Sequence, residues 1–361
     1  MTGFHVEGRP VGRDHEPFII AEMSGNHNGS LERAVEIVRA AAETGVDCLK
    51  FQTYTADTMT LDVHSDDFVI TDPKSLWNGR QLHELYDEAH TPWEWHAELF
   101  AEARKLGVAS FSTPFDETAV DFLESLDVPM YKIASFEITH LPLIRKVAST
   151  GKPMIMSTGM ATEAEIADAI AAARGEGATA ICILKCTSAY PATAADANLS
   201  TIADMRARFG VEVGLSDHTL GTGVAVAAVT LGASVVEKHF TLDREDGGVD
   251  SAFSLEPWEM KLLKEETRRA WQAGGAVTYG GTAGEAKSRQ FRQSIYPSRD
   301  IAAGEPFTRS NLKVCRPGLS LAPRHLDTLL GRTATRGYSV GERLDEGELT
   351  DAPALRNAAA R

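Results

Sequence analysis

Short apolar runs alternate with amphipathic segments over the first two thirds of the chain. Runs rich in β-branched and other apolar residues, bounded by polar or glycine-containing turns, are typical of buried strands. Apolar residues that recur every three or four positions predict helices at 31–43, 93–106, 118–126 and 163–174. Eight strands are predicted, at 18–23, 48–54, 108–115, 130–135, 154–159, 181–188, 211–218 and 234–240.

This alternation favours the α/β class and a (β/α)8 TIM barrel, which typically takes about 250 residues. A doubly wound open sheet is the alternative, and it usually carries a glycine-rich dinucleotide loop after its first strand. Residues 21–26 read Ala-Glu-Met-Ser-Gly-Asn and contain no such loop. The sequence therefore predicts a barrel over residues 1–280, followed by a linker and a small second domain over residues 281–361.

Polar and titratable side chains stand near the carboxyl end of every predicted strand, where barrel enzymes carry their catalytic groups. Serine and threonine are common where a strand gives way to a loop. Lys50 and Lys132 differ, because each lies inside an apolar run and a buried ammonium needs an anion from the protein or a ligand. The candidate site residues at these ends are Glu22, Lys50, Gln52, Thr113, Lys132, Ser135, Glu137, Ser157, Ser188, Tyr190, Ser216, Asp217, His218, Glu237 and His239.

Two histidines end consecutive predicted strands, and each has a carboxylate nearby. His218 follows Asp217, and His239 comes two residues after Glu237. A strand, a helix over 222–232 and a second strand form a right-handed parallel crossover, which brings both imidazoles to one edge of the sheet. A single histidine of this kind is more often structural. The pair suits a divalent metal, with His218 and His239 as ligands and the two carboxylates as further ligands or orienting groups.

The net charge and the cysteine spacing exclude several kinds of partner and metal site. A net charge of −15 argues against a nucleic-acid surface and an anionic membrane. Residues 1–17 lack the apolar core of a signal peptide, and the apolar run near 223–236 is too short to span a bilayer. We therefore expect a cytoplasmic protein without nucleic-acid or membrane partners. The cysteines fit no zinc spacing, so reduced core thiols are expected at Cys48, Cys182, Cys186 and Cys315.

A glycine-rich segment over 274–284 predicts a flexible linker to the last part of the chain. Beyond it, residues 300–308 are echoed by residues 337–345. Such a short internal repeat indicates a small, pseudo-symmetric and mostly β domain.

Six motifs together resemble those of the sialic acid synthase family, and the resemblance runs from about residue 17 to the C-terminus. They lie at 21–29, 50–53, 131–135, 157–160, 214–219 and 237–241. The resemblance implies a TIM barrel and an antifreeze-like (SAF) domain that closes the barrel of the partner subunit in a domain-swapped homodimer. It also implies that phosphoenolpyruvate is condensed with an N-acetylated amino sugar to give a nonulosonic acid and phosphate.

Within this family, residues 53–62, 91–96 and 187–191 look most like those of the pseudaminic acid branch. N-acetylneuraminate synthases usually carry asparagine where this chain has Ser188. The resemblance thus favours 2,4-diacetamido-2,4,6-trideoxy-altrose as the sugar, with N-acetylneuraminate or legionaminic acid synthesis as alternatives.

The resemblance also assigns roles to the candidate residues. A divalent ion (Mn²⁺, Co²⁺ or Mg²⁺) on His218 and His239 would polarise the sugar aldehyde, and Glu22 would aim a water molecule. The phosphate and carboxylate of phosphoenolpyruvate would be held by Lys50, Lys132, Thr113, Ser135, Ser157 and Ser216. The residues expected on the sugar are Gln52, Glu137, Tyr190, Asp250 and Arg316.

Two more remote functions remain. A synthase of 3-deoxy sugar acids from phosphorylated aldoses would need a second basic cluster for the sugar phosphate. A non-catalytic sugar or ice binder, suggested by the last domain alone, would leave the lysines and histidines without a role.

Overall fold

The computed structural model describes residues 3–73 and 75–350. Residues 1 and 2, at the start of the first predicted domain, and residues 351–361, at the end of the second, lie outside the described residues. The chain divides into two compact units, Met1–Gly275 and Ala276–Arg361. None of the helices in the described ranges combines the length and the apolar character that a membrane span requires.

The first unit is a closed barrel of eight parallel strands, preceded by an antiparallel hairpin, and the predicted barrel is confirmed. Each barrel strand pairs with its neighbours in sequence, and the last pairs with the first to close the ring. Each lies within two residues of its predicted bounds. The hairpin is β1 (Phe4–Val6) and β2 (Arg9–Val11), and the barrel strands are β3 (Phe18–Glu22), β4 (Cys48–Thr53), β5 (Ala109–Pro114), β6 (Tyr131–Ile133), β7 (Met154–Ser157), β8 (Ile181–Cys186), β9 (Glu212–Asp217) and β10 (Val235–His239).

Helices follow the strands, and several begin at side-chain caps. Ser30 caps the first helix by accepting a hydrogen bond from Arg33 N, and Thr162 and Glu165 form a reciprocal capping box. The helices are α1 (Leu31–Glu43), α2 (Ala56–Met59), α3 (Leu82–Ala89), α4 (Trp93–Lys105), α5 (Glu117–Ser125), α6 (Leu141–Ala148), α7 (Glu163–Gly175), α8 (Thr201–Phe209), α9 (Gly223–Thr230) and α10 (Pro257–Gly274).

Side chains alternate between the inside and the outside of the barrel along each strand. The outward set, which includes Ile19 and Leu49, packs beneath the helices in a large apolar cluster. The inward set at the amino ends of the strands, which includes Ile20 and Cys48, forms a second cluster joined by Phe4 of the hairpin. Polar residues inside the barrel are therefore gathered towards the carboxyl ends. All four cysteines are free thiols, three of them buried and Cys315 partly exposed.

The second unit has a separate apolar core beneath a two-stranded antiparallel sheet. It comprises β11 (Ser294–Pro297), β12 (Leu312–Cys315), one short helix, α11 (Leu326–Leu329), and a long 3-10 segment at Ala283–Phe291. Its core consists of Ile295, Ile301, Phe307, Leu312, Leu321, Leu329, Ala334, Tyr338 and Leu344.

The internal repeat read from the sequence is visible as two matching turns in this unit. Arg299 pairs with Glu305 at 2.5 Å in the first copy, and Arg336 pairs with Glu342 at 2.8 Å in the second. In each copy the glutamate also accepts a backbone N–H from three residues earlier, at 3.0 and 2.9 Å. An antiparallel bridge joins the two copies, which gives the unit its local pseudo-symmetry.

Candidate active site

Lys132 on β6 and Glu237 on β10 meet inside the barrel, although their strands lie on opposite sides of the ring. Lys132 Nζ is 2.8 Å from both carboxylate oxygens of Glu237. Ser216 on β9 donates its hydroxyl to the same carboxylate at 3.2 Å. Three predicted site residues from three strands thus share one buried contact.

A second lysine–glutamate pair adjoins the first. Lys50 Nζ is 2.7 Å from Glu22 Oε2 and 3.8 Å from Glu237 Oε1, and it donates to Thr113 Oγ1 at 3.1 Å. The buried lysines were expected to need anions, and both find carboxylates of the protein. Lys50, Lys132, Glu22 and Glu237 form one cluster, here called the lysine–glutamate cluster.

Burial and charge oppose each other in this cluster. Burial favours the neutral form of Glu237, but the ammonium groups of Lys132 and Lys50 outweigh it and lower the pKa of Glu237 to about 2. Burial likewise opposes the charge of Lys50, yet Glu22 and Glu237 raise its pKa above the usual value. For Lys132 burial is the stronger influence, and its pKa is lowered despite Glu237. Glu237 is therefore ionised at neutral pH.

Gln52 connects the lysine–glutamate cluster to the histidines. Its side-chain amide donates to Glu22 Oε1 at 2.9 Å and to Ser24 Oγ at 3.0 Å. Ser24 in turn hydrogen-bonds the carboxylate of Asp250, which lies 3.5 Å from His239 Nδ1. A chain of polar contacts therefore runs from Lys50 to His239 along the carboxyl ends of β3, β4 and β10.

The two histidines face each other with ring centroids 5.3 Å apart. His218 Nδ1 lies 3.0 Å from the carbonyl oxygen of Thr187, and His239 Nδ1 faces Asp250. An oxygen partner at Nδ1, as His218 has in Thr187, leaves the Nε2 lone pair free for a metal. His239 Nδ1 is buried and makes no hydrogen bond among the described residues. Within the described ranges no three His, Cys, Asp or Glu side chains converge as a complete metal site.

Aromatic rings surround the histidines. The Tyr190 ring centroid is 4.5 Å from that of His218 and 5.3 Å from that of Phe253. Trp77, from the long connection between β4 and β5, lies 5.8 Å from Tyr190 and donates its indole N–H to Val249 O. These rings form an apolar wall beside the polar contacts.

Small polar residues line the opposite part of the site, at the ends of β6, β7 and β8. Gly159 N donates to Ser135 Oγ at 3.1 Å, and a Cβ at Gly159 would lie only 2.1 Å from Ser188 Oγ. Ser157 Oγ and Glu137 Oε2 are buried and lack a hydrogen-bond partner among the described residues. Burial raises the pKa of Glu137 to about 7. Buried groups of this kind point to a ligand as their partner.

Asp217 is turned away from the other predicted site residues of the barrel, and Arg316 belongs to the second unit. Asp217 faces the outside of the barrel, where Lys238 and Thr219 occupy both of its carboxylate oxygens. Arg316 lies directly after β12 in the second unit.

Three residues near the site were not singled out from the sequence. Ser24 lies two positions after Glu22, so the period of two could have placed it on the same face. Trp77 lies in a loop and Phe253 ends a short 3-10 helix, and no periodic pattern or other local signal marks either residue. Cys186, expected as a core thiol, is buried with its sulfur 3.9 Å from His218 Nδ1.

Comparisons with known proteins place both units among described families. A model described as the NeuB family matches residues 37–279, and one described as the SAF domain matches residues 292–349. The chain is 42% identical to the pseudaminic acid synthase of Campylobacter jejuni over 335 residues, 93% of this chain and 97% of that protein. It is 36% identical to the N,N'-diacetyllegionaminic acid synthase of the same organism over 332 residues, with 91% and 98% covered. The solved N-acetylneuraminic acid synthetase of Leptospira borgpetersenii matches with a TM-score of 0.71 and 29% identity, over 79% of this chain and 94% of that one.

Proposed function

Since the chain belongs to the NeuB family, we propose that it condenses phosphoenolpyruvate with an N-acetylated amino sugar, giving a nonulosonic acid and phosphate. The favoured sugar is 2,4-diacetamido-2,4,6-trideoxy-altrose, and the product is then pseudaminic acid. Identity to a pseudaminic acid synthase exceeds that to a legionaminic acid synthase at nearly equal coverage, which supports this choice. Ser188, at a position where N-acetylneuraminate synthases usually carry asparagine, supports it further.

The observation that carries the proposal is the buried lysine–glutamate cluster beside two facing histidines. With a net charge of −15, the protein can bind the trianionic phosphoenolpyruvate only where positive groups are concentrated. Lys50 and Lys132 supply two ammonium groups with little exposed surface, where electrostatic attraction is stronger than in water. Glu22 and Glu237 balance their charge, so phosphoenolpyruvate would share the two ammonium groups with these carboxylates. Hydrogen bonds to the phosphate and carboxylate would come from Thr113, Ser135, Ser157 and Ser216.

Glu22 is the proposed base that aims water at the carbon bearing the phosphate. Its carboxylate is held by Lys50 on one oxygen and by Gln52 on the other. A base fixed on both oxygens keeps its orientation while the carbon–carbon bond forms, so the water is presented to one face of the intermediate. The enol carbon of phosphoenolpyruvate forms the new bond to the aldehyde carbon, whose oxygen takes up a proton and becomes a hydroxyl. Water adds to the carbon bearing the phosphate and gives a proton to Glu22. That carbon becomes a ketone as its bond to phosphate breaks and phosphate leaves.

The two histidines suit a divalent ion, because their rings face each other, the Thr187 carbonyl lies 3.0 Å from Nδ1 of His218, and the Asp250 carboxylate lies 3.5 Å from Nδ1 of His239. We assign His218 and His239 as the residues that hold Mn²⁺, Co²⁺ or Mg²⁺. When bound there, the ion would supply positive charge beside the aldehyde oxygen of the sugar.

The sugar would be recognised by Gln52, Glu137, Ser188, Tyr190 and Asp250. Carboxylate, amide and hydroxyl groups suit the hydroxyls and acetamido groups of a neutral sugar. They offer no second basic cluster, which disfavours a phosphorylated aldose. We further propose a homodimer in which the second unit of each chain closes the partner barrel and brings Arg316 to the sugar.

The proposal is tested by phosphate release from phosphoenolpyruvate with three sugars and Mn²⁺. The sugars are 2,4-diacetamido-2,4,6-trideoxy-altrose, the corresponding legionaminic acid precursor and N-acetylmannosamine. We expect the altrose derivative to have the highest kcat/KM by at least about tenfold, because polar groups built for one substituent pattern remain unpaired with another. Lys50→Met should abolish release.

The matched control is Lys146→Met, which removes a lysine whose ion pair with Asp121 lies on the surface. It should leave the rate unchanged. A higher kcat/KM for N-acetylmannosamine would overturn the choice of sugar, and no phosphate release with any sugar would overturn the reaction.

A further inference from the structure

Lys238 and Asp217 form a fully buried ion pair on the outer face of the barrel. Lys238 has no exposed surface, and its Nζ lies 3.0 Å from Asp217 Oδ2. The same ammonium donates to the carbonyl oxygens of Thr219 and Gly221, the latter at 2.9 Å. Each of its three N–H groups therefore has an acceptor.

Both carboxylate oxygens of Asp217 also have hydrogen-bond partners. Its other oxygen accepts the backbone N–H of Thr219 at 2.9 Å and the Thr219 hydroxyl at 2.7 Å. The segment that leads from β9 towards α9 is thus wrapped around the Lys238 ammonium. Hereafter Lys238, Asp217 and the Thr219 and Gly221 carbonyls are called the outer clamp.

The outer clamp lies directly behind the two histidines. Lys238 and Asp217 are opposite residues in the ladder between β9 and β10, and they are its last pair. The next residue along each strand is a histidine, which points to the other side because side chains alternate.

The two histidines are held differently by the backbone. His239 still pairs with Glu22 in the ladder between β10 and β3. His218 lies beyond the last pair with β10, and its carbonyl accepts instead from Ala192 in the loop after β8. The ladder therefore fixes Asp217 against β10 and stops one residue short of His218. The outer clamp adds side-chain contacts from Lys238 to Asp217 before His218 and to Thr219 and Gly221 after it.

We propose that Lys238 and Asp217 are positioning residues that hold His218 at the separation from His239 that a divalent ion requires. This inference rests on the proposed function, which assigns both histidines to the ion. A two-histidine site loses affinity when one ligand must be ordered during binding, because that ordering consumes binding free energy. Outer-shell partners of metal ligands typically alter affinity by about 10–100-fold.

The test is the dissociation constant for Mn²⁺, measured by titration calorimetry on the metal-free full chain. Lys238→Met and Asp217→Asn should each weaken binding by about 10–100-fold. The double variant should be no weaker than the worse single variant, because the two residues act through one contact. Binding of phosphoenolpyruvate without metal should stay unchanged, since the clamp lies outside the barrel.

Arg206→Met is the matched control. Arg206 contacts the carboxylate of Glu212 at 2.7 Å and the carbonyls of Val213 and Gly232, so it resembles Lys238 in its partners. Glu212 begins β9, whereas Asp217 ends it. Removing Arg206 should lower thermal stability and leave Mn²⁺ affinity at the wild-type value.

The possible results distinguish a failure of the positioning role of Lys238 and Asp217 from a failure of the metal assignment. Wild-type Mn²⁺ affinity in folded Lys238→Met protein, or in the double variant if the single variant does not fold, overturns the clamp. An equal loss of affinity in Arg206→Met also overturns it, because destabilisation alone would then explain the effect. If the wild-type protein binds no Mn²⁺, the metal assignment of the proposed function fails first.

Discussion

Lys132 and Glu237, 105 residues apart in the sequence, meet across the barrel with both carboxylate oxygens 2.8 Å from the ammonium nitrogen. Glu237 also accepts from Ser216 and lies 3.8 Å from Lys50. Removing one member of such a buried pair leaves an uncompensated charge, which costs more than the pair itself contributes. The lysine–glutamate cluster should therefore respond as a unit to mutation and to pH.

Acid should destabilise the protein through Glu237. Its pKa is about 2 in the folded chain against 4.5 normally, so its stabilisation is present above pH 4.5 and is lost as the pH falls towards 2. We expect Glu237→Gln to flatten the acid limb of the free energy of unfolding by on the order of 2 kcal/mol. Urea unfolding between pH 2.5 and 6 measures it, with the exposed Glu163→Gln as control. An unchanged acid limb would show that folding does not lower the pKa of Glu237.

Glu137 should make stability fall as the pH rises. Its folded pKa is about 7 against 4.5 normally, so between these values the unfolded chain releases a proton that the folded chain retains. Glu137→Gln should remove this loss and be relatively more stable at pH 8 than at pH 4.5. Melting temperatures of both proteins at the two pH values provide the measurement. A parallel shift at both pH values would contradict a raised pKa.

Removal of the divalent ion should abolish turnover. A chelator should stop phosphate release, and Mn²⁺, Co²⁺ or Mg²⁺ should restore it. His218→Ala and His239→Ala should each lose Mn²⁺ binding by calorimetry while keeping the circular dichroism spectrum of the folded protein. Full turnover by chelated protein would refute the metal assignment.

Glu22→Gln should separate catalysis from binding. The amide keeps the size of the carboxylate but has a single acceptor oxygen, so it can accept from Lys50 or from Gln52 and not from both, and it cannot act as a base. We expect nearly normal binding of phosphoenolpyruvate by calorimetry, together with a loss of kcat of at least about 100-fold. Near-normal turnover would mean that another group activates the water.

Complementation should reveal whether two chains share each active site. Glu22→Gln chains co-expressed with Arg316→Ala chains would form swapped heterodimers with one doubly damaged site and one intact site. Such a heterodimer should recover about half of normal activity, because exchange of identical elements pairs each arm with the other barrel. The measurement is phosphate release by the purified heterodimer. Activity no higher than that of the two parents would mean that each arm closes its own barrel.

The local pattern of apolar and polar residues determined where the strands and several turns of this protein lie. The eight strands follow from short apolar runs, and their ends were located within two residues because polar side chains and turns bound each run. The internal repeat that contains Glu305 and Glu342 was also visible, since each turn depends on residues only a few positions apart. Because the strands are parallel, their carboxyl ends lie at the same edge of the barrel. This places Lys50, Lys132, His218 and His239 at that edge.

Tertiary structure decided which of these residues meet. Nothing local reveals that Glu237 takes Lys132 as its partner, or that Ser24 takes Asp250, 226 residues away. Asp217 and Ser216 are neighbours in sequence, yet one faces Lys238 outside the barrel and the other faces Glu237 inside it. The period of two predicts that they diverge, but only closure of the ring determines what lies on each side. Contacts across a barrel depend on strand order and stagger, which a linear pattern does not encode.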